Sequence, residues 1–144
     1  MARKLRVEYP GAIYHVMNRG DRGERIFRDE EDRHRFIANW GEACGKTVWQ
    51  VQALCLMGNH FHLVMETCQA NLVAGMKWFL GTSTGRFNRR HKLCGHLFSG
   101  RYKALVVDGN GLLKTVCDYV HLNTVRAELL GPEQRVRAYE RSSW

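Results

Sequence analysis

Two imidazoles one residue apart, His60-Phe61-His62, form the tripeptide of this chain best suited to chemistry. On a β-strand, residues two apart project from one face, so both rings can converge on one cation while Phe61 turns to the opposite side. Acting as ligands, they must be neutral, and further donors must come from elsewhere in the chain. On spacing alone the tripeptide also fits two half-exposed histidines on a solvated strand, the commoner outcome for an isolated His-x-His. A second arrangement joins Tyr119 to Asn123. Four residues apart on a helix, they stack on one side, while Leu113, Val116, Cys117 and Val120 supply a buried stripe. A tyrosine attacks phosphorus once its phenol is oriented and deprotonated, and an amide one turn on can help hold a divalent cation against the phosphate. The alternative is a tyrosine at a helix–sheet boundary with its hydroxyl in water. Tyr102 is a competing phenol, but it falls on an expected strand between Arg101 and Lys103 and has no amide one turn away. His15 would approach the histidine pair only if its strand lies beside theirs, and is otherwise a satisfied structural histidine.

These residues need elements to position them, and the chain offers them in a recognisable order. Residues 12–17 are a β-branched and aromatic run, followed by a Gly-rich loop that carries Arg19, Arg22 and Arg25. Asp29-Glu30-Glu31-Asp32 puts acids where a helix begins, and Phe36, Ile37, Trp40 and Ala43 recur at helical spacing as far as Gly45. Residues 48–57 favour a strand, Gly58-Asn59 a turn, and residues 60–66 a second strand, which together read as a hairpin. Asn71 is placed to cap a long helix on which Leu72, Met76, Phe79, Ser83 and Phe87 share a face. Gly75, Gly81 and Gly85 either weaken that helix or mark close approaches. Its far end is basic, with Arg86, Arg89, Arg90, His91 and Lys92. A strand over 101–107, a loop over 108–111 and a helix over about 112–125 complete the series. The order βαββαβα suits an α+β fold: a ferredoxin-like βαββαβ sandwich with an antiparallel sheet and an added C-terminal helix that carries Tyr119. With no repeat, linker or low-complexity stretch, residues 1–144 read as one domain.

Composition narrows the partners. Among 144 residues, 22 Lys and Arg oppose 14 Asp and Glu, a net charge of +8 that favours a polyanion. Trp78 and Phe87 interleave with the arginines of the second helix, as a surface that tracks phosphates and stacks on bases requires. With 44% hydrophobic residues and two prolines, the chain is not of a disordered or fibrous class. Cys44, Cys55, Cys68, Cys94 and Cys117 are odd in number and contain no C-x-x-C, which argues against a disulfide framework and against structural zinc. No apolar run approaches the ~18–20 residues of a membrane span. The basic Met1–Arg6 segment leads into Val7-Glu8-Tyr9-Pro10 rather than a signal-type apolar stretch, so the expected location is cytoplasmic.

Four blocks in order carry a resemblance more specific than any one motif. They are Tyr9-Pro10-Gly11-Ala12-Ile13-Tyr14-His15-Val16; Cys55-Leu56-Met57-Gly58-Asn59-His60-Phe61-His62-Leu63-Val64; His96-Leu97-Phe98-Ser99-Gly100-Arg101-Tyr102-Lys103-Ala104; and Tyr119-Val120-His121-Leu122-Asn123-Thr124-Val125-Arg126-Ala127. Over roughly residues 9–131 the chain resembles the single-tyrosine HUH transposases of the IS200-like kind, most closely the REP-associated tyrosine transposase group. The resemblance implies that His60 and His62 are the histidines of the HUH motif, Tyr119 is the nucleophile and Asn123 completes the metal site. It implies a Mg²⁺- or Mn²⁺-dependent enzyme that nicks and rejoins single-stranded or hairpin DNA through a 5′-phosphotyrosine. Its DNA contacts are then expected from Arg19, Arg22, Arg86, Arg89, Arg90, Lys92, Arg101, Lys103 and Arg126. A homodimer and a monomer both stay open. This chain has Gly58, Ser99 and Thr124 where many relatives have Pro, Gln and Pro, and it ends at Trp144, short of the tail many of them carry. The alternative functions are a non-catalytic hairpin-binding protein and an RNA-binding domain of the same fold.

Overall fold

Asp29 begins the first helix through its own carboxylate, which accepts a hydrogen bond from the Asp32 amide at 2.9 Å. Glu30, Glu31 and Asp32 then lie in the first turn, at the positive end of the helix dipole. This helix, α1 (Glu30–Thr47), runs past Gly45, where the sequence suggested its end, and Thr47 closes its last turn by donating its hydroxyl to Ala43 O at 2.6 Å. The chain reverses at Val48, whose φ of 60° and ψ of 34° lie in the left-handed region. Strand β2 (Trp49–Leu56) follows at once.

The computed structural model describes residues 6–107 and 114–118. Besides α1 and β2 it contains β1 (Ala12–Arg19), β3 (His60–Thr67), α2 (Leu72–His91) and β4 (Lys103–Val106). The strands form one sheet in the order β2-β3-β1-β4, with every neighbouring pair antiparallel. That is the α+β, ferredoxin-like βαββαβ arrangement expected from the element order. Residues 114–118 are helical and belong to the expected C-terminal helix, while Tyr119, Asn123 and Arg126 lie outside the described residues. None of the described helices is long and apolar enough to cross a membrane.

Both helices cover one face of the sheet. Phe36 and Trp40 of α1 meet Phe79 of α2 edge-on, with ring centroids 4.9 and 5.0 Å apart, above Tyr14, Phe61, Leu63 and Met65 of the central strands. Gly75 permits a close approach here, because a Cβ on it would stand 2.2 Å from Cζ2 of Trp49. Gly81 and Gly85 face open space, so of the three glycines of α2 only Gly75 is explained by packing. Asn71 occupies the N-cap position but makes no side-chain capping bond. Its Oδ1 accepts from Trp49 Nε1 at 2.8 Å and its amide donates to Thr47 O at 3.0 Å, so it ties the start of α2 to the end of α1.

Two features set the phase of the sheet. Trp49 and Val51 face the helices, but an irregularity between Val51 and Ala53 reverses the alternation, so Leu54 and Leu56 face the helices and Ala53 and Cys55 face away. β4 is shorter than the expected 101–107 strand and pairs with only four residues of β1, Tyr14 to Met17.

Candidate active site

The alternation of β3 sends Phe61, Leu63 and Met65 into the core and turns His60, His62 and Val64 to the other face. β1 runs antiparallel beside it, with Arg19 opposite His60, Met17 opposite His62 and His15 opposite Val64. His15 is therefore the diagonal neighbour of His62, a relation close enough for side-chain contact. Their rings stack with centroids 5.2 Å apart, and His15 Nε2 lies 3.0 Å from His62 Nδ1, a hydrogen bond in which one ring donates and the other accepts. His60 sits edge-on to His62 at 5.2 Å and donates from Nδ1 to Asn59 Oδ1 at 2.7 Å. The sequence left His15 open between two roles and read Asn59 only as a turn residue. The expected ferredoxin-like order, which puts β1 next to β3, was the one signal that could have joined His15 to the pair.

Burial disfavours the charged form of all three imidazoles. It lowers the pKa of His60 and of His15, and it brings His62 down to about 4, helped by the neighbouring His15 and His60. At neutral pH the site therefore presents uncharged nitrogen donors, as a cation requires. Among the described residues no group of three or more His, Cys, Asp or Glu has metal-holding geometry. The donor chemistry fits a divalent ion held in part by two imidazoles of one strand face, and ligand preference alone also admits Ni²⁺ or Zn²⁺.

Part of the same face is covered by the helical residues 114–118. Ala53, Cys55 and Val64 form a small apolar cluster against which Val116 and Cys117 pack. The helical segment that leads to Tyr119 thus docks on the histidine side of the sheet, on the apolar positions picked out by its helical spacing. Tyr102 is on the other side: it packs against the main core, and the Arg6 guanidinium lies over its ring, 3.7 Å from the centroid. Burial raises the Tyr102 pKa, which disfavours the phenolate. It lines an open cleft of about 550 Å³ between α2 and the loop before β4, where Arg6, Lys77, His96 and Arg101 surround Met76 and Phe98.

Of the nine expected phosphate contacts, Arg126 lies outside the described residues and the other eight form two groups. Arg19, Arg22, Arg89, Lys92, Arg101 and Lys103 are exposed. Arg19 and Lys103 share the histidine face by register, Arg19 opposite His60 and Lys103 opposite Met17, itself the partner of His62. Arg86 and Arg90 are engaged within the fold. Arg86 reaches Asn39 and Glu42 of α1, the latter at 2.9 Å. Arg90 grips both carboxylate oxygens of Asp29 at 2.8 and 2.9 Å and one of Asp32 at 2.7 Å, joining the end of α2 to the start of α1.

Residues 8–123 match the family model described as Transposase IS200 like. Among solved structures, the chain is similar to the REP-associated tyrosine transposase bound to a REP hairpin, with a TM-score of 0.69 and 12% identity over 88% of this chain and 74% of that one. It is also similar to a Deinococcus radiodurans R1 protein described as a transposase, with a TM-score of 0.57 and 16% identity over 85% of this chain and 98% of that one. At such identities the structural likeness concerns the fold. No curated protein matches the sequence.

Proposed function

The chain belongs to the IS200-like transposases, and from that premise we propose that it nicks and rejoins single-stranded DNA through a covalent tyrosine intermediate. One observation carries the reading: two neutral imidazoles converge on the sheet face onto which the segment leading to Tyr119 packs. Tyr119 Oη attacks a DNA phosphorus, the phosphorus–O3′ bond breaks, and a 5′-phosphotyrosine and a 3′-hydroxyl result. The phenol gives up its proton and the departing 3′ oxygen takes one up, so the step is balanced without an external energy source. Attack by another 3′-hydroxyl reverses it and joins a new strand. His60, His62 and Asn123 would hold Mg²⁺ or Mn²⁺, and the bound ion supplies positive charge to the scissile phosphate's oxygens.

Hairpin DNA is the proposed substrate class, in keeping with the hairpin bound to the REP-associated relative. Arg19 and Lys103 would meet phosphates on the histidine face, and Arg22, Arg101 and Arg126 would extend the contact. Arg89 and Lys92 add charge at the end of α2. Arg86 and Arg90 contribute less, because Glu42, Asp29 and Asp32 of the neighbouring α1 region neutralise them and take their hydrogen bonds. The test is incubation with labelled single-stranded hairpins from repeats flanking the gene, with Mg²⁺, Mn²⁺ or chelator, followed by denaturing electrophoresis. A metal-dependent protein–DNA adduct lost in Tyr119→Phe and kept in Tyr102→Phe is the expected result. Tight, metal-independent binding with no adduct would instead make the chain a non-catalytic hairpin-binding module.

A further inference from the structure

A neutral imidazole has one protonated nitrogen and one with a lone pair, so a histidine that binds a cation through Nε2 must keep its proton on Nδ1. What each nitrogen meets decides which keeps it. His60 Nδ1 faces Asn59 Oδ1 at 2.7 Å, and an amide oxygen only accepts. The orientation of that amide is set from its other end, because Asn59 Nδ2 donates to Gly23 O at 3.3 Å. The turn is anchored further by the Gly20 amide, which donates to Asn59 O at 2.7 Å. His60 therefore carries its proton on Nδ1 and its lone pair on Nε2.

His62 Nδ1 faces His15 Nε2 at 3.0 Å. Were the proton on His62 Nε2, the two rings of one strand face would offer a lone pair and a hydrogen, and both could not ligate one ion. From this geometry we propose that His62 donates Nδ1–H to His15 Nε2, so that His15 and Asn59 are positioning residues that hold His62 and His60 in the tautomer with the lone pair on Nε2. The inference rests on reading His60 and His62 as the ligand pair. Each orienting group comes from a rigid place: His15 is 7% exposed on β1, a strand flanked on both sides, and Asn59 is in the tight turn between β2 and β3. A hydrogen-bonded partner behind a ligating histidine fixes its ring and raises its basicity, and its loss costs roughly 10–100-fold in metal affinity.

Long-range ¹H–¹⁵N correlation spectra of the metal-free full chain read the tautomers directly. Both His60 and His62 should appear as Nδ1–H. In His15→Phe, which keeps a planar aromatic ring and removes the acceptor, His62 should populate both forms, and His15→Gln, whose side-chain oxygen accepts, should restore one. Mn²⁺ affinity by calorimetry should fall about 10–100-fold in His15→Phe and recover in His15→Gln. Asn59→Ala, an exposed turn substitution that leaves the core intact, should free the His60 tautomer and spare that of His62. A wild-type His62 protonated on Nε2, or tautomers unchanged in both His15→Phe and Asn59→Ala, would overturn the proposal. A wild type that holds both rings as Nδ1–H yet binds no Mn²⁺ would support the tautomer assignment and sink the metal reading of the site, so the two failures are distinct.

Discussion

Alanine at Gly75 and alanine at Gly81 are the same chemical change in the same helix, and the structure predicts opposite signs for them. Replacing a helical glycine by alanine gains about 0.5–1 kcal/mol from the smaller loss of backbone freedom. At Gly81 nothing lies within 4 Å of the new methyl, so that gain should stand. At Gly75 the methyl would be 2.2 and 2.5 Å from Cζ2 and Cη2 of Trp49 and 2.8 Å from Cγ2 of Thr47. The indole cannot swing away freely: it is 4% exposed, lies against Trp40 with centroids 5.4 Å apart, and donates its N–H to Asn71 at 2.8 Å. Relief therefore requires backbone movement of α2 or loss of the indole hydrogen bond. Overpacking of this kind costs about 1–3 kcal/mol, and a lost hydrogen bond about 1 more. Net of the propensity gain, Gly75→Ala should destabilise by roughly 1–3 kcal/mol, and the two variants should differ by about 2–4 kcal/mol. Urea unfolding followed by tryptophan fluorescence measures this, with an unchanged slope expected in both variants. Adding Trp49→Phe to Gly75→Ala should recover part of the loss, a coupling a double-mutant cycle isolates. Gly75→Ala as stable as Gly81→Ala would refute the argument that the indole holds this helix at close range.

Three further predictions follow from other parts of the molecule. Val48→Gly should stabilise the protein by about 1 kcal/mol, since a half-exposed β-branched residue held at φ 60° carries roughly 1–3 kcal/mol of strain; a lowered urea midpoint would contradict this. Arg90 and the Asp32 amide hold the Asp29 carboxyl at about 2, and at Asp32 the burial that would raise the pKa is outweighed by the Arg28 amide, His91 and Arg90, which lower it. Folded values below the unfolded ones mean stability that is present above the ordinary carboxylate range and lost as pH falls from about 5 toward about 2, so Asp32→Asn should weaken the protein at pH 7 and make little difference near pH 2 in thermal melts. Arg19→Glu and Lys103→Glu should each reduce hairpin affinity at least several-fold and flatten its salt dependence, whereas Arg35→Glu, exposed on α1 away from the histidine face, should not; equal effects would argue against DNA on that face.

What the sequence determined by itself is local. A period of two sends Phe61 inward and both histidines outward on any strand that holds them, and Asp29 caps α1 through an amide three residues away. Both relations depend only on neighbours in the chain, as does the alternation of element types from which the ferredoxin-like order was legible. The relations that only the tertiary structure decided link positions that periodicity does not connect. The irregularity at Gln52 reversed the face of half of β2, and no pattern of types forecast it. Asn71 had the right type and place for a cap, but Trp49 and Thr47, brought beside it by packing, claimed its side chain. Arg86 and Arg90 read as cations available to DNA, but the fold sets Glu42, Asp29 and Asp32 beside them and these carboxylates take their hydrogen bonds. His15 and His62 are 47 residues apart, and the diagonal contact between them exists because antiparallel register set Met17, two residues along β1 from His15, opposite His62. Register is chosen by the whole sheet burying its apolar face, so it belongs to the fold and to no single segment.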